Sequence, residues 1–231
     1  MMRMETIRWL TLLLLLGLIF SANAQEENFY YENAVYNEEI KTVLMHRDGF
    51  ELSNPVYEMG EKTPLVFKFD DLSGQVKNYY YTIIHCDADW NESFLPQIDY
   101  LEGFTENPLT DYARSFNTTF DYINYRLYLP NEDTGFKLPG NYVLVVYEEG
   151  DKENIVLSKR FYVVDPLVDL EGTVRRATLD AFRGENQEVD FTVHHEELDI
   201  QNPREEIKVV IMQNNRWDNA IRDLKPLFIR N

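Results

Sequence analysis

The pattern of apolar and polar positions is most definite over residues 78–90. Tyr79, Tyr81, Ile83 and His85 fall on one side of an extended chain there, and Tyr80, Thr82, Ile84 and Cys86 on the other. Aromatic and β-branched residues populate both sides, which predicts a central strand covered on both faces. Asp87, Ala88 and Asp89 end the run as a turn, and Trp90 anchors its exit. Upstream, residues 40–46 read as a first edge strand turned by Arg47, Asp48 and Gly49. Residues 63–70 read as the next, with Leu65, Phe67 and Phe69 on one face and Val66 and Lys68 on the other. Residues 91–115 show no period. Residues 116–129 resume as one long or two short strands, with Phe116, Thr118, Phe120 and Tyr122 sharing a side.

Leu138-Pro139-Gly140-Asn141-Tyr142 predicts a type II turn, because glycine at its third position accepts positive φ cheaply. A tyrosine two residues beyond that glycine resembles the tyrosine corner of immunoglobulin-like sandwiches. A strand over 142–147, a hairpin tip over 148–153 and a last strand over 155–164 complete the body. Asp165, Pro166 and Leu167 read as a linker. Strands follow over 172–179, 187–195 and 206–213, where Val189, Phe191 and Val193 alternate with polar neighbours, and residues 214–219 are turn-like. The expected fold class is all-β: an immunoglobulin-like β-sandwich over 40–164, followed by a second, incomplete β domain over 165–231. Three or four strands there leave an unpaired edge.

Residues 1–24 read as a signal peptide. Arg3 and Arg8 are its basic start, the eleven residues 10–20 are apolar except for Thr11 and Gly17, and Ala22-Asn23-Ala24 suits a signal peptidase. Residues 25–39 are polar, acidic and rich in Tyr and Asn, as an extended arm would be. The whole chain carries a formal charge of −18, which becomes −19 once Arg3, Glu5 and Arg8 are removed. Such a surface repels nucleic acid and anionic lipid. It suits a basic protein partner or calcium, and equally an acidic coat that keeps an exported protein soluble. Cys86 is the single cysteine, so an intramolecular disulfide is impossible. Its apolar surroundings suggest a small buried side chain rather than a reactive thiol.

His85, Asp87 and Asp89 share one side of the strand and are the nearest approach to a metal or catalytic constellation. A second His is lacking nearby, and Asp-Ala-Asp lacks the Gly and Glu of a calcium loop, so a strand-end turn is the better reading. His194 and His195 are adjacent on a strand and point apart. The chain has neither a nucleophile motif nor a phosphate-cradling glycine loop. The many Tyr and Phe residues suit sugar stacking but more often fill a core. These features lead us to expect no enzyme activity, no cofactor and no metal. Residues 91–115, rich in apolar and acidic side chains, are the best candidate for an interaction surface.

Four strings carry a family resemblance: Ile83-Ile84-His85-Cys86-Asp87-Ala88-Asp89-Trp90, then Leu138-Pro139-Gly140-Asn141-Tyr142 with Arg160-Phe161-Tyr162-Val163, then Gln213-Asn214-Asn215-Arg216-Trp217-Asp218-Asn219-Ala220. In this order they resemble the plug proteins of the type IX secretion system of Bacteroidota. The resemblance implies a periplasmic protein with immunoglobulin-like domains that binds the outer-membrane translocon barrel through protein contacts, without inserting into the membrane. It would close the barrel's periplasmic opening and serve both secretion and gliding motility. Relatives carry more sequence beyond the point where this chain stops. On this reading Asp99, Tyr100, Glu102, Phe104 and Glu106 contact the partner, together with the Tyr-rich arm over 29–36. An exported carbohydrate-binding module and a donor-strand chaperone remain the alternatives.

Overall fold

Period-2 patterning gives each strand one apolar face, and two layers of such strands bury those faces against each other. The computed structural model describes residues 31–229. The expected signal peptide and the first part of the arm lie outside the described residues. The first layer centres on β11 (Gly140–Glu148), flanked by β5 (Tyr79–Cys86) and β12 (Ile155–Val164). Beyond β5 lies the two-residue β7 (Asn107–Pro108). The outer edge of β12 is shared by β1 (Ala34–Val35), antiparallel, and β3 (Val56–Glu58), parallel. The second layer runs β2 (Ile40–Arg47), β4 (Leu65–Asp71), β9 (Ile123–Leu129), β8 (Asp111–Arg114), all antiparallel.

Register decides which side chains meet. Tyr142 lies opposite His85 and Phe161, Leu144 opposite Ile83, and Val146 opposite Tyr81 and Leu157. This face joins one buried cluster with Leu65, Phe67 and Phe69 of β4 and Ile123, Tyr125 and Leu129 of β9. Phe69, Tyr79 and Tyr125 pack ring on ring with centroids 4.9–5.4 Å apart. The Tyr79 hydroxyl donates to the buried Asp71 carboxylate at 2.9 Å. Burial, and then that carboxylate, push the Tyr79 pKa upward. At the corner, the Tyr142 hydroxyl donates to the Leu138 carbonyl at 2.7 Å, as expected of a tyrosine corner.

Several sequence expectations need correction. The strand over 79–86 is not the centre of its layer. β11 is, since only β7 pairs beyond β5. Residues 116–122 form a loop rather than a strand. Ser115 and Tyr122 pinch it shut, through Ser115 N to Tyr122 O (2.9 Å) and Tyr122 N to Ser115 Oγ (3.0 Å), and Asn117 sits at φ 58°. Phe116 and Phe120 are consequently exposed. Pro139-Gly140 is not a type II turn. Gly140 opens β11 at φ 153°, and glycine is needed because a Cβ there would lie 2.4 Å from His85 Nε2. The His85 ring has little room to retreat, with Tyr142 at 5.0 Å, Tyr100 at 5.4 Å and Ser93 Oγ 2.8 Å from its Nδ1.

Past the linker, β13 (Asp169–Arg176) and β14 (Gln187–His194) pair as a hairpin in unbroken register. Residues 206–213 are not a third strand. A helical turn at Pro203–Glu206 leads into them, and only Ile211 forms a bridge, to Ile221. This segment lies instead against the end of the first layer. Trp217 Nε1 donates to Tyr162 Oη at 3.0 Å, and its ring meets Trp90 edge-on at 5.4 Å. The Arg160 guanidinium lies 4.3 Å from the Trp90 ring centre and Arg222 lies 5.0 Å from that of Trp217, both within cation–π range.

Three outcomes follow from this packing. Tyr142→Phe leaves the Leu138 carbonyl without its donor and is expected to lower unfolding free energy by about 1–2 kcal/mol in urea titration, with an unchanged m value. Trp217→Ala should cost about 2 kcal/mol, less than truncating a fully buried Trp, and should red-shift Trp90 emission as water reaches its ring. Burial holds the His85 imidazole below its ordinary 6.5, with the Pro139 carbonyl working the other way. Below 6.5 the unfolded chain therefore takes up protons before the folded one, and stability falls as pH drops through the folded pKa. His85→Asn should flatten that part of a stability–pH profile.

Candidate functional site

A strand with a free edge must be covered or it recruits another strand. The outer edge of β5 is covered by residues 91–115. Ser93 N donates to His85 O at 2.9 Å, the Gln97 side-chain amide to Ile83 O at 3.0 Å, and Leu109 N to Tyr79 O at 2.8 Å. Thr82 Oγ1 reaches back to Thr105 O at 2.9 Å. The stretch that lacks a period in sequence thus holds a helical turn (Gln97–Tyr100), β6 (Leu101–Gly103), β7 and β8. β6 pairs with β10 (Thr134–Phe136).

Under this covering runs a buried polar chain. Tyr81 Oη lies 3.0 Å from Thr134 Oγ1, and Asn107 Nδ2 donates to Thr134 Oγ1 at 3.0 Å and to Phe104 O at 3.1 Å. Asn131 Nδ2 adds a bond to Tyr81 Oη at 3.2 Å. Tyr100, Leu101, Asn107 and Leu109 point inward and are buried. Between these anchors, Phe94, Ile98 and Phe104 turn outward, with 106%, 72% and 67% of their surface exposed. The result is a firmly mounted apolar ridge.

The expected contact residues divide accordingly. Asp99, Glu102 and Phe104 lie exposed on the ridge. Tyr100 does not belong with them. It is 3% exposed, packs near His85 and Tyr142, and its hydroxyl faces Ile83 O at 3.4 Å, because the helical turn directs it into the core. Glu106 is exposed but engaged by Lys152 and by the Tyr147 hydroxyl at 3.2 Å, and the Lys152 bond holds its carboxyl below the usual range. In the arm, Phe29 lies outside the described residues. From Glu32 onward the chain is not a free arm, since its backbone is stitched to β12. Ser158 Oγ donates to Glu32 O at 2.7 Å and Tyr36 N to Val156 O at 2.9 Å. Tyr36 keeps an exposed ring.

His85, Asp87 and Asp89 each have other partners. Asp87 Oδ1 accepts the backbone N–H groups of Asp89 (2.8 Å) and Asn91 (3.0 Å), closing the turn, and Asp89 pairs with Lys208 at 2.9 Å. Among the described residues no cluster of three His, Cys, Asp or Glu side chains is placed to hold a metal ion. Cys86 is buried, which pushes its thiol up to about 12 and keeps it protonated. A cleft of about 590 Å³ opens beside the same turn, walled by Asp87, Asn141, Tyr162, Met212 and Trp217.

Sequence reading missed two things. Glu132 and Asp133 join the ridge because β10 sits beside β6, a pairing between segments some thirty residues apart that no local pattern announces. The strings around Trp90 and Trp217 meet through their rings, and the only signal in the sequence was two tryptophans in otherwise polar turns.

No curated protein matches the chain. Among solved structures it is similar to a hypothetical protein from Parabacteroides merdae, with 34% identity and a TM-score of 0.83 over 88% of this chain and 51% of that one. The chain therefore spans about half the length of that relative. Residues 40–165 match the family model described as the type 9 secretion system plug protein 1st domain. That match takes in the sandwich, its covered β5 edge and the ridge, and the chain belongs to the plug protein family of the type IX secretion system.

Proposed function

We propose that this chain is a non-catalytic, periplasmic plug subunit that binds the outer-membrane translocon barrel and closes its periplasmic opening. Family membership ties it to the type IX secretion system and to the cell envelope. The ridge on residues 91–115 is the observation that carries the finer reading. A body that occludes a pore works by shape and adhesion, so it needs apolar anchors on a backbone that does not have to be ordered on binding. Phe94, Ile98 and Phe104 are such anchors, and the Gln97 and Asn107 hydrogen bonds hold their backbone in place beforehand. Several exposed aromatic and aliphatic side chains on one covering segment of a well-packed domain also mark interaction sites more often than accidents of folding. The partner touches the ridge, and the sandwich behind it bears the load.

Affinity purification of the tagged, full-length expressed chain from envelope extracts tests this. A very large outer-membrane barrel protein should co-elute with the wild type. The pair Ile98→Ser and Phe104→Ser should reduce that recovery by about tenfold while leaving circular dichroism and melting unchanged. Recovery of no barrel by the wild type, or equal recovery by the folded double variant, would remove the basis for the proposal.

A further inference from the structure

Four carboxylates belong to the ridge segments and the strand paired with them. Asp99 follows Ile98 on the helical turn, Glu102 precedes Gly103 on β6, and Glu132 and Asp133 lead into β10. All four are exposed, and among the described residues none takes part in an ion pair. Lys137 is the nearby cation and keeps its charge, which leaves the four acids in excess, while Lys152 is taken up by Glu106. The Lys137 ammonium donates to the Ile98 carbonyl at 2.8 Å.

Their backbone is fixed as well. The Asn131 side-chain oxygen accepts the N–H groups of Asp133 (2.9 Å) and Thr134 (2.8 Å), which shapes the turn. Phe104 N donates to Asp133 O at 3.0 Å. Gly103, at φ 88°, passes so close that a Cβ there would lie 2.0 Å from the same carbonyl. The backbone thus brings Asp133 beside Phe104, two residues along the chain from Glu102.

We infer that this ridge is a receptor for a polypeptide segment in which lysine or arginine alternates with aromatic or aliphatic residues. The inference rests on the plug reading for the identity of the partner, but not for the chemistry. Charge complementarity selects the occupant. An acidic protein with an excess of carboxylates on the same segments as exposed Phe and Ile repels acidic segments and steers basic ones in, and the apolar side chains then hold what has been steered. The attraction is the sum of several solvent-exposed charges, which added salt screens, so binding should weaken as salt rises.

The test uses the full chain and a fluorescent peptide of alternating lysine and phenylalanine, read by anisotropy, beside a counterpart with glutamate for lysine. The ridge variant combines Asp99→Asn, Glu102→Gln, Glu132→Gln and Asp133→Asn. A control removes the same charge elsewhere through Asp169→Asn, Glu171→Gln, Glu196→Gln and Glu197→Gln. At about 50 mM salt the lysine peptide should bind the wild type. Binding should weaken about tenfold in the ridge variant, under about twofold in the control, and about tenfold for the wild type on raising salt to roughly 300 mM. Failure of the lysine peptide to bind, equal weakening in both variants, equal binding of the glutamate peptide, or loss of binding on adding a chelator would each overturn the inference. Envelope purification in parallel separates the two ideas. A wild type that recovers no barrel defeats the plug reading while the peptide result stands. A ridge variant that recovers the barrel as well as the wild type defeats the inference while the plug reading stands.

Discussion

The structure depends on β11 being hydrogen-bonded along nearly its whole length to both neighbours. Residues from Asn141 to Glu148 face Cys86 to Tyr79 on one side, and those from Gly140 to Tyr147 face Val163 to Ile155 on the other. Such a strand has no edge left to solvate, and Val143, Leu144 and Val146 are fully buried, on both of its faces. Its register sets the layer. Sliding β11 by one residue would turn Tyr142, Leu144 and Val146 out of the core and replace them with Asn141, Val143 and Val145. Tyr142 at its start is pinned to Leu138, and Gly140 is pinned by the His85 ring, so the corner fixes where the register begins.

Fixing β11 at the centre pushes the edge problem outward to β5. A long strand rich in Tyr and Ile with one open side would aggregate, and two residues of β7 cannot cover it alone. The covering is completed by isolated bonds from Ser93, Gln97 and Leu109, which place no demand for regular periodicity on residues 91–115. That freedom allows the covering chain to expose Phe94, Ile98 and Phe104 while it buries Tyr100, Leu101 and Leu109. Protection of the edge and presentation of the ridge are therefore one arrangement. Substitutions that loosen the anchors should affect both.

Legibility from sequence followed the range of the interactions involved. The strands β4 and β5, the tyrosine corner and the hairpin tip between β11 and β12 are written in residues close to one another, and they read correctly. Residues 116–122 misled because Phe116, Thr118, Phe120 and Tyr122 mimic a strand's period, whereas a left-handed Asn117 and the Ser115–Tyr122 bonds close a loop. Residues 206–213 misled for a different reason. Strand propensity is satisfied only when a neighbour offers a ladder, and here β14 pairs with β13 alone. The ridge was legible as acids and aromatics in an aperiodic stretch. The inward turn of Tyr100 and the arrival of Glu132 and Asp133 were not, since both are decided by what lies across the fold.

The residues that identify the family are not the residues proposed to touch the partner. Within the string from Ile83 to Trp90, His85 is wedged among Ser93, Tyr100 and Tyr142, Asp87 caps its own turn, Asp89 pairs with Lys208, and Trp90 lies under Arg160 and edge-on to Trp217. His85 and Trp90 are held by partners in other segments, so both tolerate little change for reasons of packing alone, whereas Asp87 shapes its own turn. Side chains such as Phe94 and Phe104 have no such internal partner. Their identity is free to follow whatever surface they meet, so a recognisable string and a binding surface diverge within one domain. An adhesive body needs an invariable frame and an adjustable face, and here the two are joined by the hydrogen bonds along β5 and by the side chains of Gln97, Thr82, Tyr100 and Asn107.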